Sequence, residues 1–190
     1  MAAVIVPAAT LLATGADTAT NTVAASTEET APSAVELVTP PPPIQATPPA
    51  ARLVVRHVLP PGVAPEKGLQ VETILAARAV SGMFPEILNI GGVRQDSMRW
   101  HPNGLAIDVM IPNYRSAEGK ALGDRIVAFV LENAERFGLN HALWRQTSYG
   151  PGRAPRQMSS RGSDTQNHFD HVHIATNGGG YPTGTETYLR

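Results

Sequence analysis

Six of the seventeen prolines fall within one short stretch, from Pro40 to Pro49 in VTPPPPIQATPPAAR, and this clustering limits the possible folds more than any other feature of the chain. Proline fixes φ and offers no amide donor, so a run of it suits neither a helix interior nor a central strand and favours extended polyproline II. The flanking residues are mainly Ala, Thr, Ser and Glu, which bury too little apolar surface to offset chain entropy. Residues 18–52 therefore read as a Pro/Ala/Thr-rich disordered linker. A folded domain is expected over residues 53–190, a length suited to one core.

Ahead of the linker, residues 1–17 open with MAAVIVPAATLLATGA, an apolar, small-residue segment like the core and cleavage zone of a secretory signal peptide. It has no positive start, since no Lys or Arg precedes Arg52, and Pro7 interrupts it well short of the roughly 18 residues a membrane span needs. Residues 1–17 read as a signal peptide or, in the other reading, as a flexible apolar N-terminal segment; the expectation is a secreted or cell-envelope location and no stable membrane span. The formal net charge is -1 and no basic run marks a phosphate-binding face, so a nucleic-acid partner is not expected. The chain has no cysteine, which excludes disulfides, thiolate zinc sites and a cysteine nucleophile. Histidine and carboxylates remain as the strong metal ligands.

Within the domain, Val71, Ile74, Leu75 and Arg78 recur at helical spacing until Gly82 and Pro85 end the pattern. EILNIGGVRQ is a plausible first strand leading to Arg94. GLAIDVMIP alternates: Leu105, Ile107, Val109 and Ile111 share one face, Ala106, Asp108 and Met110 the other, as in a half-buried strand. Ser116 is placed to cap a second helix over AEGKALGDRIVAFVLENAERF, ending at Gly138. HALWRQTSYG reads as one strand, residues 150–167 as a loop, DHVHIAT as a last strand, and the Gly-rich tail as disordered. This order predicts an α+β fold, a small antiparallel sheet packed with helices.

In DHVHI, taken as a strand, His171 and His173 share one face while Val172 and Ile174 face the core. Upstream, HPNGLAID sets Asp108 seven residues after His101. A straight segment would hold those two roughly 10 Å or more apart, too far for one ion, but Pro102, Asn103 and Gly104 supply a turn that can fold His101 back. Two His and one Asp suit a catalytic zinc ion (Zn2+) that keeps a fourth position open to water. A nearby base must then take a proton. His171, sharing its face with His173, is the best placed, and Asp170 at the strand's start is the competitor. His57 and His141 read as ordinary structural histidines.

These residues resemble the LAS superfamily of zinc metallopeptidases, named for lysostaphin, D-Ala-D-Ala carboxypeptidases and Sonic hedgehog, whose pattern is His-x6-Asp followed by His-x-His. The resemblance implies that His101, Asp108 and His173 are the metal ligands and that His171 lies beside the metal. His168 looks like the additional histidine of the murein endopeptidase branch, where it would contact substrate. The slot of the carboxypeptidase branch's catalytic glutamate holds Asp170. GGVR resembles the family's Gly-Tyr-Arg segment, which makes Arg94 a candidate to hold substrate or the developing oxyanion. LWRQ followed by MSSRGSDTQNHFDHVHI is also similar to a subgroup of secreted actinobacterial and fungal proteins with a peptidase-like C-terminal domain.

The expectation is an exported, monomeric zinc-dependent hydrolase cleaving an amide bond, and the resemblance implies peptidoglycan peptides as substrate, cut in the manner of a D,D-carboxypeptidase or an endopeptidase. The alternative is an inactive zinc-containing module that binds cell-wall polymer through the Trp144 strand and an Arg-rich loop. Trp144 and Gln146 would line a groove in that reading, although a strand tryptophan is more often core. Arg153, Arg156 and Arg161 read most simply as solvated loop residues, with an acidic peptide or polymer as the other reading.

Overall fold

A computed structural model describes residues 57–190; the signal-peptide and linker assignments, and the domain start at residue 53, lie outside the described residues. The elements are α1 (Val71–Met83), β1 (Ile90–Gly91), β2 (Ala106–Met110), α2 (Ala117–Glu132), β3 (Leu139–Trp144), β4 (Thr147–Gly150), β5 (Arg153–Gln157) and β6 (His171–Thr176). All strand pairs are antiparallel in one six-stranded sheet of order β1-β2-β6-β3-β4-β5. The fold is α+β, as expected.

The sheet has two unlike faces because its strands alternate. Ile107, Val109, Val172, Ile174 and Ala142 join the core formed with α1 and α2. Each fully buried Ile or Val there contributes about 1.5–3 kcal/mol, so this face sets the register, and a one-residue slip would turn it to water. The opposite face carries Asp108 on β2, His171 and His173 on β6, and His141 and Leu143 on β3. Small residues bring the layers close: α1 lays Ala76, Ala77 and Val80 on the core. On α2, Gly123 abuts the Trp144 ring, where a Cβ would sit 2.2 Å from Cζ2.

Ser116 caps α2 as predicted, its side chain accepting from the Gly119 amide at 3.0 Å. The helix ends at Glu132, short of the expected Gly138: the Asn133 side chain donates to the Phe129 carbonyl at 2.9 Å, and the chain continues in turns to Phe137, which is fully buried. The single strand expected over HALWRQTSYG is a hairpin. Arg145 and Gln146 both have positive φ, as a type I′ turn demands, without the Asn or Gly that usually marks one. Tertiary bonds hold them there, Arg145 N donating to His168 O at 2.7 Å and Gln146 N to Asn167 O at 2.8 Å. The predicted loop over residues 150–167 contains β5, an exposed edge strand.

The Gly-rich tail is ordered instead of disordered. Gln70, the N-cap of α1, provides no side-chain cap, and the amides of Val71 and Glu72 donate to the carbonyls of Gly180 and Gly178. The tail thus satisfies orphan donors of the helix. Among the described residues no helix is long and apolar enough to cross a membrane.

Candidate metal centre

Asp108 and His173 are directly opposed partners in the β2–β6 ladder, so sheet pairing alone puts their side chains together. His101 arrives from outside the sheet. Residues 100–104 form a turn in which Gly104 has φ +67, and a Cβ there would lie 2.0 Å from the Gly68 carbonyl oxygen, so only glycine fits. The turn folds the His101 ring under the sheet face, where the residue is 2% exposed.

The result is a trio of converging atoms. His173 Nδ1 lies 2.8 Å from Asp108 Oδ1, His101 Nε2 3.3 Å from the same oxygen, and the two ring nitrogens 3.2 Å apart. His101 Nδ1 is 2.9 Å from the Gly92 carbonyl, which can only accept, and 3.0 Å from Arg94 Nη1, which can only donate; with Arg94 Nη1 donating to Asp108 Oδ2, Nδ1 donates to Gly92 and Nε2 keeps its lone pair. Buried lone-pair atoms this close together need a shared proton or a cation between them. Tetrahedral zinc with bonds of 2.0–2.1 Å separates its ligand atoms by about 3.3 Å, close to the spacing of this trio. The His/Asp cluster can hold a metal ion, and two imidazoles with one carboxylate favour a transition metal over calcium or magnesium.

Electrostatics agree with a site kept ready for a cation. Burial would raise the Asp108 carboxyl, but hydrogen bonds to His101 and His173 and the neighbouring His171 imidazole outweigh it and hold the group far below the usual range. Burial lowers His173, leaving it neutral and able to donate a lone pair. Arg94 donates from Nη1 to Asp108 Oδ2 at 2.5 Å and from Nη2 to Asp96 Oδ2 at 3.5 Å, so it orients the Asp108 carboxylate while its half-exposed side chain faces the cleft.

The two candidate bases form a dyad. Asp170 precedes β6 instead of alternating within it, and its Oδ1 accepts from His171 Nδ1 at 2.7 Å. Its Oδ2 accepts from Thr165 Oγ1 at 2.6 Å. Burial raises this carboxyl, but the hydrogen bonds from Thr165 and His171 outweigh it and hold the group below its ordinary value, so it is ionised. With Nδ1 donating, His171 directs Nε2 to within 3.5 Å of Asp108 Oδ1. Asp170 therefore sets the tautomer of His171, and His171 faces the centre.

His168, with φ 56, has its ring 5.0 Å from the His171 ring in a tilted contact and 5.6 Å edge-on from that of His173; its Nδ1 is buried without a partner among the described residues. The structural reading of His141 needs correction. Its ring lies 5.6 Å from that of His173 and 4.8 Å from Trp100, and it lines the cleft. The signal that could have revealed it is the alternation of β3, which puts His141 and Leu143 on one face. Burial lowers His141 to about 4 and His168 to about 3, so both are neutral near pH 7. His57 is exposed and outside this cluster.

The centre opens into a cleft of about 620 Å³ bordered by Arg94, Arg153, Arg156 and Arg161. Trp144 does not line it. That residue is 1% exposed in the helix-facing core, its Nε1 donating to Asp124 Oδ1 at 3.0 Å, so the groove role considered for the Trp144 strand is overturned for the tryptophan. Gln146 is likewise occupied, donating to the Met158 carbonyl at 2.8 Å.

No curated protein and no solved structure matches the chain. A family model, the VldE C-terminal domain, matches residues 65–169. The match runs from the segment before α1, through both His101 and Asp108, to the residue before Asp170. Because it takes in more than half of the sequence, the chain belongs to the VldE C-terminal domain family.

Proposed function

We propose that this chain is an exported zinc-dependent hydrolase that cleaves an amide bond, with peptidoglycan peptides as the substrate class. The observation that carries the reading is the pairing of two arrangements in one cleft: the His101, Asp108 and His173 trio, and the Asp170–His171 dyad that aims Nε2 at it. A merely structural metal site has no use for an oriented imidazole beside its ligands. The motif order His-x6-Asp then His-x-His, with its resemblance to LAS peptidases, supports the same chemistry, and the envelope substrate rests on that resemblance. Export rests on the apolar start of the sequence.

Bound zinc would supply a Lewis acid that polarises the scissile carbonyl and lowers the pKa of water. The protein's own groups do the rest. Arg94 fixes the ligand carboxylate and is the candidate to steady negative charge on the carbonyl oxygen. His171 accepts a proton from water at Nε2 and returns it to the departing nitrogen, while Asp170 holds the Nδ1 proton and stabilises the transient imidazolium. Neutral His168 wall the pocket from the side without adding charge, as does His141.

The test is zinc content alongside turnover of muropeptides. The wild type should hold one zinc per chain and release amine, His171→Ala should keep its zinc and lose about 10²–10⁴ in kcat, and Asp170→Asn should lose less. Stoichiometric zinc with no hydrolysis, or an unimpaired His171→Ala, defeats the enzyme reading.

A further inference from the structure

The face that carries the metal-site residues continues, strand by strand, to a row of arginines. The ladder pairs Asp108 with His173, His173 with Leu143, Leu143 with Ser148, and Ser148 with Arg156. Cross-strand partners point to the same side, so Arg156 belongs to the same row as the metal centre. Three further strand steps separate it from His173, about 14 Å at 4.7–4.9 Å per step.

The edge of the sheet is shaped to place two more cations there. The β4–β5 register shifts between Ser148 and Gly150, which lets Arg153 and Arg156, three residues apart, border one cleft. Gly150 has no Cβ where the Arg153 guanidinium lies: a Cβ would be 2.2 Å from Nη2. Arg153 folds back there and donates to the Asn140 carbonyl at 3.1 Å. Arg161 joins them from the following loop, its amide held by Asn167 Oδ1 at 2.7 Å.

None of these three guanidiniums has a carboxylate partner among the described residues. The carboxylates of the centre are engaged elsewhere, Asp96 and Asp108 with Arg94 and Asp170 with His171 and Thr165. The clustering is local, because the whole chain carries a formal net charge of -1. A cleft whose unpaired charges are of one sign concentrates the opposite sign, and guanidinium forks match planar carboxylates.

We infer that the cluster of Arg153, Arg156 and Arg161 is a carboxylate-recognition subsite that selects acidic peptides for the metal centre. The inference takes the cleft to be the substrate cleft of the proposed hydrolase. An arginine side chain spans roughly half of the 14 Å, and an extended peptide advances about 3.3–3.6 Å per residue. The recognised carboxylate therefore lies about two to four residues from the amide at the centre.

The test uses the full-length, zinc-loaded protein and measures calorimetric binding of acetyl-Ala-Ala-Glu-Ala with a free C-terminal acid. Its neutral counterpart carries Gln and a C-terminal carboxamide. The acidic peptide should bind at least about tenfold more tightly, with the advantage shrinking between 50 and 300 mM salt, as screening of exposed charges requires. Replacing both Arg156→Gln and Arg161→Gln should abolish the advantage and leave zinc content unchanged; both residues are exposed, so folding should be unaffected. After chelation of the metal the advantage should persist, because it belongs to the arginines.

Equal affinity for the two peptides overturns the inference. So does an advantage that vanishes with the metal yet survives the double replacement, or tighter binding of a phosphoserine peptide than of the glutamate one. Charge selection without turnover would defeat the hydrolase reading and spare the subsite. Turnover without charge selection would do the reverse.

Discussion

Asp108→Asn isolates the role of the carboxylate at the centre. The substitution keeps the shape but removes the charge that Arg94 holds on one side and that faces His101 and His173 on the other. Losing a group that merely supports a ligand weakens metal binding by about 10–100-fold, so losing an anionic ligand should cost at least about 100-fold, or roughly 2.7 kcal/mol. The cost can be read thermally. Zinc at 100 times the wild-type Kd stabilises the wild type by about 2.7 kcal/mol; at the same concentration a variant bound 100-fold more weakly gains only about 0.4 kcal/mol. For a domain of this size the difference of about 2.3 kcal/mol corresponds to a zinc-induced Tm rise about 8 °C smaller. Competition against a chromophoric chelator gives the affinities directly. Asp96→Asn serves as the control, since that carboxylate borders the same cleft but is outside the trio. If Asp108→Asn binds zinc like the wild type, or if Asp96→Asn loses as much, the assignment of the ligands is wrong.

Acid should destabilise the chelator-treated protein through histidines buried neutral. His141 is lowered to about 4 and His168 to about 3, both below their ordinary value in the unfolded chain, so the unfolded state binds more protons as pH falls below about 6.5. Stability is full above that pH and should fall by about 2 kcal/mol between pH 7 and 5 after allowing for partial exposure. His141→Gln should roughly halve the slope, and a flat Tm over this range would refute the account. Gly104→Ala forces a side chain at positive φ against the Gly68 carbonyl and should cost at least about 2 kcal/mol in denaturant unfolding, with weaker zinc binding because His101 shares the turn. Wild-type stability in that variant would mean the turn does not constrain His101.

The elements that could be read in the sequence are those whose signals are local. Alternation located β2 and β6 and gave the faces of Asp108, His171 and His173, and the hydroxyl of Ser116 marked the start of α2. The Arg145–Gln146 turn was illegible because neither residue favours positive φ; distant carbonyls of Asn167 and His168 hold it. The Gly-rich tail looked idle for the same reason, since its partners are the first amides of α1, far away along the chain.

The candidate site divides along the same line. Residue type and the turn at Pro102–Gly104 marked His101, Asp108 and His173 as a possible ligand set, because the chemistry of a ligand is carried by its own side chain. That His171 Nε2 faces Asp108 while Asp170 holds the other ring nitrogen, that His141 joins the cluster, and that Arg156 continues the row of the candidate metal site were decided only by the tertiary structure. The places of His141 and Arg156 depend on which backbone lies across the ladder, Arg156 following from four successive strand pairings, whereas the bond from His171 to Asp170 forms because Asp170 lies just ahead of β6. Register is a relation between segments distant in sequence, and local spacing carries no information about it.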